Sequence, residues 1–320
     1  MSVKAKAAVS IILLVLLFVL LPWHDVRTAV TRLPPWLWFA VVGGFVAGHA
    51  FGTQKWRLLL IASRAPLAYV PAVRFYGAGL FANLCLPSIV GGDVLRAVLA
   101  GRATGRVEAA FLAGIMDRLI DVGTMGLLIA AGALFARESL PGWGAQVLTV
   151  ALVLGAVAAG LAAPLVLRRP LHRWPRRLRR PVGRAMVALR HLSRRPAPAC
   201  MALVISVAMQ SLFVLLNVWI GAAIGIDLPL AVWFMAWPLA KVAGLMPISL
   251  GGLVVRDATF GALLVPFGVP MAQGVVTALV WQTVMIAGGL LGGLAWWALG
   301  RGEKGSRSLR DLMLPARSHG

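Results

Sequence analysis

Leu86-Pro87-Ser88-Ile89-Val90-Gly91-Gly92-Asp93-Val94-Leu95-Arg96 recurs without a gap as Met246-Pro247-Ile248-Ser249-Leu250-Gly251-Gly252-Leu253-Val254-Val255-Arg256. Pro, the Gly pair, Val and Arg coincide, and Pro247 stands 160 residues after Pro87 in a chain of 320. Each residue type has a physical task. Proline stops a helix and leaves carbonyls unbonded. The Gly pair permits a tight turn and close backbone approach. A helix restarting there presents bare N–H groups and the positive end of its dipole, which suit an anion. Arg96 or Arg256 can then hold a phosphate through two parallel hydrogen bonds. Alternatively each pairs with a neighbouring acid, Asp93 or Asp257, and only locks the turn. Coincidence in a Gly- and Val-rich chain is the competing explanation. The aligned arginine weighs against it, because arginine is disfavoured at membrane depth.

The surroundings place both copies in a membrane. Hydrophobic residues make up 60% of the chain and charged ones 13%, and mean hydropathy is +0.87. A soluble domain carries about 25% charged residues. Six segments are long enough to span a bilayer: Ala7–Leu21, Trp36–Thr53, Ala109–Ala136, Ala145–Leu167, Ala199–Gly225 and Met271–Leu299. Phe75–Pro87 stops early, and Leu228–Phe267 is interrupted at Pro238, Pro247, Gly251-Gly252 and Arg256-Asp257. These two read as broken helices, tolerated at membrane depth where protein or a wet cavity surrounds them.

The formal charge of +21 would suggest nucleic acid on a soluble protein, but its distribution argues against that. Eleven arginines and no acid lie between Arg168 and Arg195. The positive-inside rule puts that loop (168–198) in the cytoplasm, beside anionic lipid headgroups. The basic tail (300–320) goes to the same side, with Lys55, Arg57, Arg64, Arg74, Arg102 and Arg106. Six full spans plus two membrane hairpins satisfy this, with both termini cytoplasmic. Three spans separate the two motifs, which therefore face opposite sides. The expected fold is an all-α polytopic membrane protein built as an inverted-topology repeat, with halves at about 36–135 and 199–299 and a substrate site where the broken helices meet.

Charges inside the membrane are the candidate site. Asp93, Asp117, Asp121 and Asp257 face Arg96, Arg118, Lys241 and Arg256, and the set sums to zero. Each charge at mid-bilayer costs about 2.5–3.5 kcal/mol on insertion scales, so each needs a partner. They act as substrate contacts or proton carriers, or they form a static network that holds helices. Gly44, Gly48 and Gly52, Gly288 with Gly292, and Gly289 with Gly293 allow close helix contact within the chain or between copies. Cys85 and Cys200 make no disulfide framework. The five histidines show no ligand spacing, no hydrolase, P-loop or metal motif appears, and no cofactor is called for.

Asn83 through Arg96, Asp117-Arg118, and Pro247 through Asp257 together resemble the lysylphosphatidylglycerol synthase transmembrane family, over about residues 5–300. The resemblance implies a polytopic inner-membrane protein with two re-entrant hairpins that moves or handles lipids. Its relatives serve aminoacylated phospholipids, isoprenoid-linked sugars or hopanoid-type lipids. Asn83, Pro87, Gly91, Gly92, Asp93, Arg96, Asp117, Arg118, Pro247, Gly251, Gly252 and Arg256 match its pattern, whereas Val254 and Asp257 depart from it. The tail after Leu299 is a short basic peptide, so the resemblance does not extend to lysyl transfer.

The expected function is a lipid translocase of the bacterial-type inner membrane rather than an enzyme. Headgroups would meet Arg96, Arg256, Asp93, Asp117, Arg118, Asp121 and Lys241. Asn83, Pro87, Gly91, Gly92, Pro247, Gly251 and Gly252 would shape the hairpins. The alternatives are a membrane enzyme using one of the aspartates, or a non-catalytic subunit that partners lipid-biosynthesis enzymes. A homo-oligomer is compatible with the small-residue faces.

Overall fold

A computed structural model describes residues 33–85, 91–136, 196–244 and 253–301, with Thr31 and isolated positions between 183 and 194. Regular structure among them is helical. The first group is α1 (Pro35–Ala62), α2 (Tyr69–Cys85), α3 (Gly91–Thr104) and α4 (Val107–Phe135). The second is α5 (Pro196–Ile224), α6 (Leu230–Gly244), α7 (Leu253–Leu264) and α8 (Met271–Arg301). α1, α4, α5 and α8 are apolar and 28 to 31 residues long. At 1.5 Å per residue each is long enough to cross a hydrocarbon core of about 30 Å. The other four, of 12 to 17 residues, fall short of the usual 20. The protein is an all-α polytopic membrane protein.

Four expected spans coincide with the four long helices. The expected spans Ala7–Leu21 and Ala145–Leu167, the tail after Arg301, and most of the basic loop lie outside the described residues. So do Pro87, Pro247, Gly251 and Gly252 of the two motifs.

One boundary needs correcting. The expected second span ends at Thr53, with Lys55 and Arg57 in a cytoplasmic loop. α1 instead continues to Ala62 and carries both. Nothing in Gln54-Lys55-Trp56-Arg57 breaks a helix, and acids on α4 stand ready to compensate Lys55. The chain turns only at Ser63 and at Arg64, whose φ is 66°.

Packing repeats with the element order. α2 lies along α8, and its counterpart α6 lies along α4. α3 rests on α2 and α4, as α7 rests on α6 and α8. α1 packs on its own counterpart, α5. Gly44 meets Leu216, Gly48 meets Phe213 and Gly52 meets Met209. The numbers rise on α1 as they fall on α5, so these two equivalent helices run antiparallel. Such pairing relates two halves of opposite orientation. Each hairpin is thus sheltered by the long last helix of the other half. The glycines of α8 serve this contact: a Cβ at Gly77 would lie 2.5 Å from the Gly292 carbonyl oxygen. Two apolar cores result. One gathers Phe45, Phe213, Trp233, Trp237, Phe260 and Trp281; the other holds Trp56, Leu59, Leu60, Phe75 and Met116.

Candidate functional site

The first hairpin closes on a side chain. Asn83 at the end of α2 accepts a hydrogen bond from the Gly92 amide at the start of α3, at 2.9 Å. This satisfies one of the helix-start donors that have no partner in the helix itself. α3 approaches α2 so closely that any Cβ at Gly92 would strike the Gly79 carbonyl and Asn83.

That closure sets Asp93 and Arg96 against α4. Arg118 donates through Nε to Asp93 Oδ2 at 2.6 Å. Arg96 Nη2 lies 3.0 Å from Asp93 Oδ1 and 2.7 Å from Asp117 Oδ2. Lys55 Nζ reaches Asp117 Oδ1 at 3.0 Å and also bonds Asp121. Ser206 Oγ, from α5, donates to Asp121 Oδ1 at 2.7 Å. The result is an unbroken chain, Arg118–Asp93–Arg96–Asp117–Lys55–Asp121–Ser206. It holds three acids and three bases and ties α1, α3, α4 and α5. The Arg96 guanidinium also faces two rings that meet at an angle, 5.0 Å from the centre of Trp56 and 4.9 Å from that of Tyr76. Such stacking strengthens a desolvated cation's hold.

The second hairpin repeats the stacking but not the charges. The Arg256 guanidinium carbon lies 5.7 Å from the Trp237 ring on α6, as Arg96 lies over Tyr76 on α2. Arg256 Nε donates to the adjacent Asp257 at 2.7 Å. Its Nη2 reaches Gln282 Oε1 on α8 at 3.1 Å. Gln282 thus takes on α8 the role that Asp117 takes on α4, without the charge. Lys241, at the end of α6, donates to Gln210 Oε1 at 2.8 Å and lies 5.7 Å from the Phe213 ring.

The eight expected charged residues fall into two groups with one residue apart, and all but Arg118, whose side chain is 43% exposed, are buried or half-buried. Asp93, Arg96, Asp117, Arg118 and Asp121 form one network; Arg256 and Asp257 pair apart from it. Lys241 stands between with a neutral partner. Sequence reasoning missed Lys55, and its ammonium changes the balance: among the described residues of these groups, five cations stand against four acids. It also missed His49, whose Nδ1 is 3.3 Å from the Tyr76 hydroxyl, and the polar partners Ser206, Gln210 and Gln282. His49 packs against Phe45 and Phe213, and Phe213 against Trp281, which meets Trp237. This aromatic column joins the two hairpins. The signal for Lys55 lay in its partners: Asp117 and Asp121, four residues apart on one face of α4, call for a cation.

An apolar cavity of about 380 Å³ lies between α1, α5 and α8, lined by residues such as Val41, Ile220 and Val280 and by none of the charged residues. At its rim the Trp38 indole donates to Thr283 at 2.8 Å.

A family model described as Lysylphosphatidylglycerol synthase TM region matches residues 4–293. Neither the curated proteins nor the solved structures provide a match.

Proposed function

This chain belongs to the lysylphosphatidylglycerol synthase TM region family, and from that premise we propose that it carries a lipid with an anionic headgroup across the inner membrane. Lys241 carries this reading. It is an ammonium at membrane depth whose partners among the described residues are an amide oxygen and a ring rather than a carboxylate. A buried or half-buried cation is normally paired. A headgroup phosphate would supply the missing charge. Arg96, already bonded to two carboxylates, serves better as the anchor of α3, while Arg256 borders the headgroup position beside Gln282. Lipid tails stay in the bilayer, and the apolar cavity gives one of them a dry place to lie. The basic loop Arg168–Arg195 and both termini face the cytoplasm on this reading, with anionic headgroups as the loop's partners.

Movement of labelled phosphatidylglycerol and phosphatidylcholine in reconstituted vesicles tests the reading. Wild type should move the anionic lipid. Lys241→Gln should lose about tenfold or more of that rate, because a charge-assisted hydrogen bond is worth about 1.5–3 kcal/mol. Lys241→Arg should retain most of it. Equal rates for wild type and Lys241→Gln would remove Lys241 from the site. No movement by wild type would overturn translocation and favour a role as an enzyme or a subunit in lipid synthesis.

A further inference from the structure

We infer that the Asp121 carboxylate is a proton-binding site that couples lipid movement to a pH gradient. This rests on the translocase reading for its consequence, but not for the site itself. The geometry singles out Asp121 among the three acids of the network. Asp93 is held by Arg96 and Arg118, and Asp117 by Arg96 and Lys55. Among the described residues Asp121 is ion-paired with Lys55 alone, which it shares with Asp117, and the Lys241 ammonium acts on it only through the field. Neutralising it therefore removes the least compensation. It is also the more open of the two carboxylates that contact Lys55, its side chain being 11% exposed against 3% for Asp117.

The groups around it come from every helix packed on α4 that contributes polar side chains here. α1 brings Lys55 and, beyond it, His49; α3 brings Asp93 and Arg96; α4 itself carries Asp117 and Arg118. α5 supplies Ser206 and the neutral Gln210, and α6 supplies Lys241. A proton from water converts the carboxylate to a carboxylic acid. The network then passes from three acids and three bases to a net charge of +1, with no other bond made or broken. Lys55 is left with Asp117, and the Ser206 hydroxyl loses a charged acceptor. That hydroxyl belongs to α5, the first helix of the second half, whereas Lys55 and Asp121 belong to the first. Protonation therefore loosens a tie between halves that alternating access must move against each other.

Two measurements separate this inference from the translocase reading. Infrared difference spectra of purified wild type in lipid films, exchanged between acidic and alkaline buffer, should show a protonated-carboxyl C=O band. The band should vanish in Asp121→Asn and in Asp121→Ser and persist in Asp117→Asn. In vesicles, an imposed pH gradient should drive labelled phosphatidylglycerol to one leaflet with wild type. Asp121→Asn should only equilibrate it. The band without lipid movement would keep the proton site and overturn the translocase. Lipid movement that ignores the gradient, or a wild type lacking the band, would overturn the inference and leave translocation standing. A band unchanged in both Asp121 variants would do the same.

Discussion

Lys55 holds two carboxylates four residues apart on α4, so its removal leaves both short of a cation at membrane depth. Lys55→Met should lower stability by about 3–5 kcal/mol, the usual consequence of stripping one partner from a buried ion pair. The readout is the temperature at which purified protein stops being monodisperse. Adding Asp121→Asn should restore part of the loss, because the second change removes a charge that the first left uncompensated. At the second hairpin the matching experiment adds charge. Gln282→Glu places a carboxylate beside Arg256 and cancels the interior excess of positive charge. It should weaken the preference for phosphatidylglycerol over phosphatidylcholine about tenfold or more in the vesicle assay, while Gln282→Met should not. These residues show where the sequence was readable. Arg96, Asp117 and Arg256 stand in apolar runs, where a charge demands an explanation. Lys55 does not, because Gln54, Arg57 and Arg64 around it look like the start of a loop. Only the acids on a helix some sixty residues later reveal that it is inside. Partners such as Ser206 and Gln282 are ordinary polar residues in apolar helices, and periodicity alone does not say which one a distant arginine will find.

Four long helices were legible from hydropathy, and two interrupted segments from Pro and Gly. What hydropathy could not show is which element shelters which. That depends on surfaces, and the glycines decide it. Gly77 and Gly292 bring α2 and α8 into backbone contact, whereas Gly43 and Gly126 have nothing near them. Gly77→Leu should therefore disrupt assembly by more than the 1–3 kcal/mol typical of overpacking, since the obstacle is backbone and cannot rotate away. Gly126→Leu should leave the elution profile of detergent-solubilised protein unchanged. Asn83→Leu tests the hairpin closure in the same assay. Loss of the Gly92 amide's acceptor should cost about 1 kcal/mol, as for other helix-start caps.

Across the whole molecule, the antiparallel pairing of α1 with α5 is the contact about which the halves would move. Cross-linking Gly44→Cys to Leu216→Cys, with Cys85 and Cys200 replaced by Ser, should stop lipid movement, and reduction should restore it. Movement that continues in the cross-linked protein would mean that the halves do not rock about this contact. The exchange of hairpins between halves also bears on how the protein is made. α2 is complete at Cys85, but the helix that covers it begins at Met271. At roughly 5–20 residues per second of synthesis, that interval is on the order of ten seconds or more. During this time a short helix bearing the polar Asn83 must wait without its cover. Either the insertion machinery shields it, or it stays near the headgroups until α8 arrives. The first half of the chain alone should therefore be a substrate for membrane quality control, and the nascent protein should become resistant to proteolysis only after α8 has emerged.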